Sequence, residues 1–153
     1  MSASGAYALT RRRTLQALAL AGGGWTGMAH AQPGARRVVA LGGSITEVVY
    51  ALGAQAQLVA TDTTSLFPDA AQRTPKVGYL RQLAAEGLLA LRPDAVVGTS
   101  DAGPPVVLEH LRSAGVRVEL VHADHTWDEV RRKIETVGTV VGRPEAARAL
   151  WQQ

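Results

Sequence analysis

Short apolar runs alternate with amphipathic stretches from residue 36 onward. Residues 37–41, 58–61, 95–98 and 116–121 are rich in Val, Ala and Leu and are bounded by Gly, Pro, Ser or Asp. Runs of that length and composition predict β-strands. The intervening segments carry helical signals. Ser44-Ile-Thr-Glu47 has the spacing of a capping box, and the helix it opens ends at Leu52-Gly53, where glycine accepts a left-handed cap. Residues 83–91 predict a short helix, after which Pro93-Asp94 restarts the chain into a strand. Gly103-Pro104-Pro105 opens a further helix, closed at Ala114-Gly115. Thr126-Trp-Asp-Glu129 is a second capping box. Val130, Ile134, Val137 and Val141 keep helical spacing behind it, which predicts one buried face ending at Gly142. Residues 144–153 begin another helix, within which the chain stops, and residues 62–78, with Pro68 and Pro75, read as a long loop.

Strand–helix alternation predicts an α/β fold, a Rossmann-like parallel sheet flanked by helices. Ligands of such sheets sit beyond the carboxyl ends of the strands. Those ends carry Gly42-Gly43-Ser44, Asp62-Thr63-Thr64-Ser65, Thr99-Ser100-Asp101 and His122-Ala123-Asp124-His125. Gly42-Gly43-Ser44 reads either as a tight strand-to-helix turn or as a helix start that accepts a carboxylate. His122, Asp124 and His125 read as solvated loop residues or as transition-metal donors, and His110 as a surface residue. Tyr79, in Gly78-Tyr79-Leu80-Arg81, reads either as amphipathic packing or as a hard oxygen ligand for ferric haem iron, with the Arg81 cation favouring the phenolate.

The first 31 residues have a different character. Arg11-Arg12-Arg13 precedes a short apolar stretch, and Ala29-His30-Ala31 supplies the small residues of a cleavage site. Residues 1–31 therefore predict a cleavable signal peptide and a periplasmic destination, with Thr10-Arg11-Arg12-Arg13-Thr14-Leu15 resembling a twin-arginine export motif. The alternative, a transmembrane helix, needs ~20 apolar residues and finds fewer.

Composition narrows the chemistry. The net charge of +3 is carried by Arg11, Arg12 and Arg13, and the remaining basic and acidic residues balance. No basic stripe remains for nucleic acid. With no cysteine there is no disulfide, thiolate site or lipidated cysteine anchor. Neither a dinucleotide fingerprint nor a Walker motif occurs, and no nucleophile–base pair or carboxylate dyad stands out, so an enzyme is not expected.

The stretches Val39-Ala-Leu-Gly-Gly-Ser-Ile-Thr-Glu-Val-Val-Tyr-Ala-Leu-Gly53, Thr61-Asp-Thr-Thr-Ser65, Val77-Gly-Tyr-Leu-Arg81, Leu83-Ala-Ala-Glu-Gly-Leu-Leu-Ala-Leu-Arg-Pro-Asp94 and Gly103-Pro-Pro105 resemble the periplasmic haem-binding proteins of haem ABC importers. These belong to a group that also carries siderophores and cobalamin. The resemblance covers residues 36–153 and implies the first lobe of a two-lobe protein joined by one long helix. On that basis residues 32–142 are the N-terminal ligand-binding lobe and 143–153 the start of the interlobe helix, the second lobe being absent. It further implies Tyr79 as axial haem ligand, Arg81 as its support, Ser44 and Gly103 as contacts for the haem carboxylates, and Glu86 as a docking residue for the inner-membrane permease. Haem is then the transported ligand, no metal other than its iron is expected, and an outer-membrane haem receptor lies upstream. The alternatives are a ferric siderophore or cobalamin carrier, and an inactive truncated fragment.

Overall fold

A computed structural model describes residues 36–153. The expected signal peptide and the Gln32-Pro33-Gly34 start lie outside the described residues. Four parallel strands, β1 (Val38–Leu41), β2 (Leu58–Thr61), β3 (Ala95–Thr99) and β4 (Arg117–Val121), form one sheet in the order β2-β1-β3-β4. The helices are α1 (Gly43–Ala51), α2 (Ala85–Ala90), α3 (Pro105–Ser113), α4 (Trp127–Val140) and α5 (Pro144–Trp151). Among the described residues no helix is long and apolar enough to cross a membrane.

The central strands β1 and β3 are buried on both faces, and their period of two sorts the core into layers. Val38, Ala40, Ala95 and Val97 pack with Ile45 and Val49 of α1, Ile134 and Val137 of α4, and Ala147 of α5. Val39, Leu41 and Val96 point the other way, to Leu88 of α2 and Leu108 and Leu111 of α3. The handedness of βαβ crossovers explains this split. The chain steps outward from β1 to β2 and then back across the sheet to β3 and β4, so right-handed connections place α1 on one face and α2 and α3 on the other.

The local signals hold where the backbone alone decides. Gly53, Gly115 and Gly142 have positive φ just past α1, α3 and α4, the conformation glycine adopts at low cost. Several expectations need correction. Ser44 does not cap α1. The N-cap is Gly42, at φ 107°, with no side-chain cap, and Ser44 lies inside the first turn. The N-cap N–H, which a capping-box glutamate would take, goes instead to Asp62 Oδ1 at 2.8 Å. The second box is half formed. Thr126 Oγ1 accepts from Glu129 N at 3.1 Å, but the Glu129 carboxylate accepts from Asp124 N and His125 N rather than from Thr126 N. The left-handed turn at His125 (φ 58°) accompanies that arrangement. Val130 is exposed, unlike Ile134, Val137 and Val141. The loop after β2 contains a 3-10 turn at Asp69–Arg73 and a parallel bridge between Thr61 and Lys76.

Candidate functional site

The sheet order reverses between β1 and β3, so the crevice of this fold opens at their carboxyl ends. Gly42 and Gly43 leave β1 there. A side chain at Gly43 would crowd its neighbour, since a Cβ there would stand 3.0 Å from Thr64 O. The segment after β2 is therefore pressed against the start of α1.

Asp62 organises that contact. It is fully buried, and its carboxylate accepts from Gly42 N (2.8 Å), Ser65 Oγ (2.7 Å), Thr64 N (3.0 Å) and Thr64 Oγ1 (2.6 Å). Ser65 gives its proton to Asp62, so the 2.7 Å contact between Thr46 Oγ1 and Ser65 Oγ has Thr46 as donor. A buried charge with this many donors is compensated. The sequence reading gave Asp62 no role. The signal available was the Asp-Thr-Thr-Ser string, whose side chains favour turning back onto their own backbone.

Tyr79 follows Gly78, which turns the chain at φ 96°, and the residue is 42% exposed. Two backbone bonds tie the next residues to the β3–α3 loop, Gly103 N to Leu80 O (2.9 Å) and Leu83 N to Gly103 O (3.0 Å). Gly103 is buried and its N–H is thus committed to the Tyr79 loop. Ser44 is exposed in the first turn of α1, and Glu86 is exposed in the first turn of α2. Arg81 forms an ion pair with Asp101 at 2.7 Å, across the gap between the segments after β2 and β3. That bond first, then the charges of Asp101 and Tyr79, raise the Arg81 pKa further above its ordinary value. Both partners are about half exposed, so the pair positions the guanidinium more than it stabilises the fold. Asp101 is the second residue whose role the sequence left unread.

Large apolar side chains stand exposed along the same edge. Leu66 and Phe67 follow β2, Val106 opens α3, and Trp127, 81% exposed, opens α4. A shallow groove of about 310 Å³ runs along His125, Thr126, Trp127, Glu129, Val130 and Lys133. These apolar side chains lie beyond the carboxyl ends of β2, β3 and β4, the edge at which ligands of such sheets bind. The His122–His125 segment is differently occupied. Asp124 is bonded to Thr126 and paired with Arg132 at 2.6 Å. Among the described residues no three His, Asp or Glu side chains converge on a metal position. His110 lies exposed on α3.

The fold and this edge define an α/β lobe built to hold a ligand at the carboxyl ends of its strands. The family model for periplasmic binding proteins matches residues 38–153, and the chain belongs to that family. Among solved structures it is similar to a periplasmic heme-binding protein from Pseudomonas aeruginosa, with 47% identity and a TM-score of 0.73, covering 76% of this chain and 42% of that one. It is likewise similar to the periplasmic heme-binding protein BhuT in complex with two hemes, with 43% identity and a TM-score of 0.73, covering 76% and 45%. Among curated proteins it is 31% identical over 113 residues to the vitamin B12-binding protein of Pectobacterium carotovorum subsp. carotovorum (strain PC1), covering 73% of this chain and 40% of that protein. The chain thus spans about two fifths of the length of the curated relatives it matches.

Proposed function

We propose that the protein is the substrate-binding component of an ABC importer, that its ligand is ferric haem, and that Tyr79 supplies the iron ligand. The observation that carries this reading is the position of Tyr79. Tyr79 is exposed in the segment after β2, two residues from Arg81; the same segment carries exposed Leu66 and Phe67, and exposed Val106 opens α3 after β3. Haem is a flat apolar ring with an iron and two carboxylates, so its site needs apolar walls, a donor and polar ends. Phenolate is a hard anionic donor suited to ferric iron, and Arg81, held by Asp101, stands two residues away. Identities of 43% and 47% to proteins described as heme-binding support the same ligand. Ser44 offers an exposed hydroxyl to a haem carboxylate. Gly103, its N–H already given to Leu80 O, contributes by holding the Tyr79 loop.

Titration with ferric haem tests the reading. The wild-type protein shows a phenolate-to-iron charge-transfer band, and Tyr79→Phe loses it and binds more weakly. An unchanged ferric spectrum in Tyr79→Phe overturns the assignment and moves the search to His122 and His125. Cobalamin is the second ligand to test, since curated relatives bear that name at 31% identity. A cobalamin carrier would bind the corrinoid equally well with or without the Tyr79 hydroxyl.

The remaining assignments follow from the same reading. Residues 1–31 direct export and leave Gln32 as the mature N-terminus in the periplasm, checked by N-terminal sequencing. Residues 32–142 form the ligand-binding lobe, and residues 143–153 begin the helix toward a second lobe. Glu86, exposed on α2, pairs with basic residues of the permease. Such pairs steer and register an encounter, so Glu86→Ala lowers haem uptake and leaves haem affinity intact. Equal loss of both would place Glu86 in the pocket or in folding.

A further inference from the structure

Lys76 has no part in the site as described, yet its surroundings are unusually specific. Its ammonium donates to Thr61 Oγ1 (2.7 Å), Ser65 O (2.9 Å) and Ala71 O (3.1 Å). An ammonium has three donors, and all are used. The acceptors come from the last residue of β2, the turn behind it, and the 3-10 turn at Asp69–Arg73. The backbone of the same residue is held too, since Thr61 N donates to Pro75 O (2.9 Å) and Val77 N to Thr61 O (3.0 Å). Thr63 N then reaches Gly78 O at 2.9 Å. The lysine and these backbone bonds together close the long segment after β2 onto the strand it left, three residues before Tyr79.

Lys76 is exposed overall, yet holding its ammonium here costs some hydration. Desolvation lowers the Lys76 pKa, against the opposing charge of Asp62. A methionine would fill the same path without that cost, but it would leave two carbonyls and a hydroxyl without their donor. Ligand donors are held by groups behind them, and loss of such support costs affinity even though the support never touches the metal.

We propose that Lys76 is a positioning residue for ligand binding, locking the segment between β2 and Gly78 so that the Tyr79 phenol is presented in one orientation. The proposal rests on Tyr79 being the haem-iron ligand. It predicts coupling between the two residues, which a staple serving stability alone does not.

The test is a double-mutant cycle read by haem affinity and by spectrum. Wild type, Lys76→Met, Tyr79→Phe and the double variant are titrated with ferric haem and, separately, with iron-free protoporphyrin IX. Lys76→Met is expected to weaken ferric haem binding about tenfold, at the lower end of what supporting groups contribute at metal sites, and to diminish the charge-transfer band. In the Tyr79→Phe background the same substitution has little further effect. Affinity for the iron-free porphyrin, which has no iron for Tyr79 to bind, stays unchanged by Lys76→Met. An equal loss in both backgrounds, or a parallel loss of porphyrin binding, overturns the proposal and leaves Lys76 a structural staple. Should Lys76→Met fail to fold by circular dichroism, Thr61→Val removes one of the three acceptors and is put through the same cycle. A wild-type protein without the charge-transfer band removes the Tyr79 reading, and this proposal with it. That outcome is distinguished by the wild-type spectrum alone.

Discussion

Replacing Asp62 by asparagine keeps the shape of the side chain and turns one of its two acceptor oxygens into a donor, so it isolates what the buried carboxylate does. Oδ1 accepts from Gly42 N and Ser65 Oγ, and Oδ2 from Thr64 N and Thr64 Oγ1. The hydroxyls can rotate to accept from an amide NH₂, but the backbone N–H groups cannot. Whichever way the new amide is oriented, its NH₂ therefore faces one backbone N–H, the buried one of Gly42 or the part-buried one of Thr64. An orphaned buried donor costs about 1–3 kcal/mol, and the cost lies toward the lower end if Thr64 is the one left. The bonds that survive also fall from charge-assisted to neutral strength, which adds about 1 kcal/mol. The sum is a loss of roughly 2–4 kcal/mol, lowering the melting temperature of a lobe this size by about 8–16 °C at some 4 °C per kcal/mol. Urea denaturation followed by circular dichroism measures it, with an unchanged m-value showing that the unfolded state is comparable. A loss below about 1 kcal/mol would refute the reasoning, because one backbone N–H must lose its acceptor and the surviving bonds must lose their charge assistance. Asp62→Ala, which leaves every one of these donors without an acceptor, should lose more than Asp62→Asn.

Glu129 sets an acid limb of stability. Its bond from Lys133 first, then the backbone N–H bonds from His125 and Asp124, hold its pKa down from 4.5 to about 2 against the opposing effect of burial. A depressed carboxyl stabilises the fold above its unfolded pKa and loses that contribution as pH falls toward the folded value. Asp124 and Asp128 are lowered in the same direction. Glu129→Gln should therefore lie below wild type in urea stability at about pH 6 and converge with it near about pH 2, and a gap constant with pH would remove the ion pair as its source. Gly138→Ala reverses the usual helix rule. Alanine gains up to ~1 kcal/mol inside a helix, but here its methyl would overlap the Ala147 Cβ and lie 3.2 Å from Arg143 O. Overpacking of about 1–3 kcal/mol prevails, so thermal melts should show destabilisation that Gly138→Ala/Ala147→Gly partly reverses, and strict additivity would exclude the clash. Arg81→Ala should shift the ferric charge-transfer band and weaken haem binding less than Tyr79→Ala, as visible spectroscopy and titration can check.

What the sequence determined by itself was local in origin. Strand periods, proline starts and glycine ends depend on a few neighbouring residues, so residues 58–61 read as a strand and form one, and Gly53, Gly115 and Gly142 end their helices. The motifs quoted from residues 39–105 also pointed to the family that the match over residues 38–153 bears out. Tertiary structure decided the partners. Ser44-Ile-Thr-Glu47 has the spacing of a capping box, yet Asp62, twenty residues on, takes the N-cap N–H. Glu129 turns back to Asp124 and His125, Arg81 pairs with Asp101, and Lys76 joins the end of β2 to two turns of the segment after it. A carboxylate or ammonium can satisfy many donors or acceptors at similar cost, and the choice among them depends on which loops the crossovers bring to the same end of the sheet. Spacing along the chain carries no information about that choice where the partners meet only through the sheet, as Gly42 and Asp62 do when β1 pairs with β2, and Arg81 and Asp101 do when the segments after β2 and β3 come together.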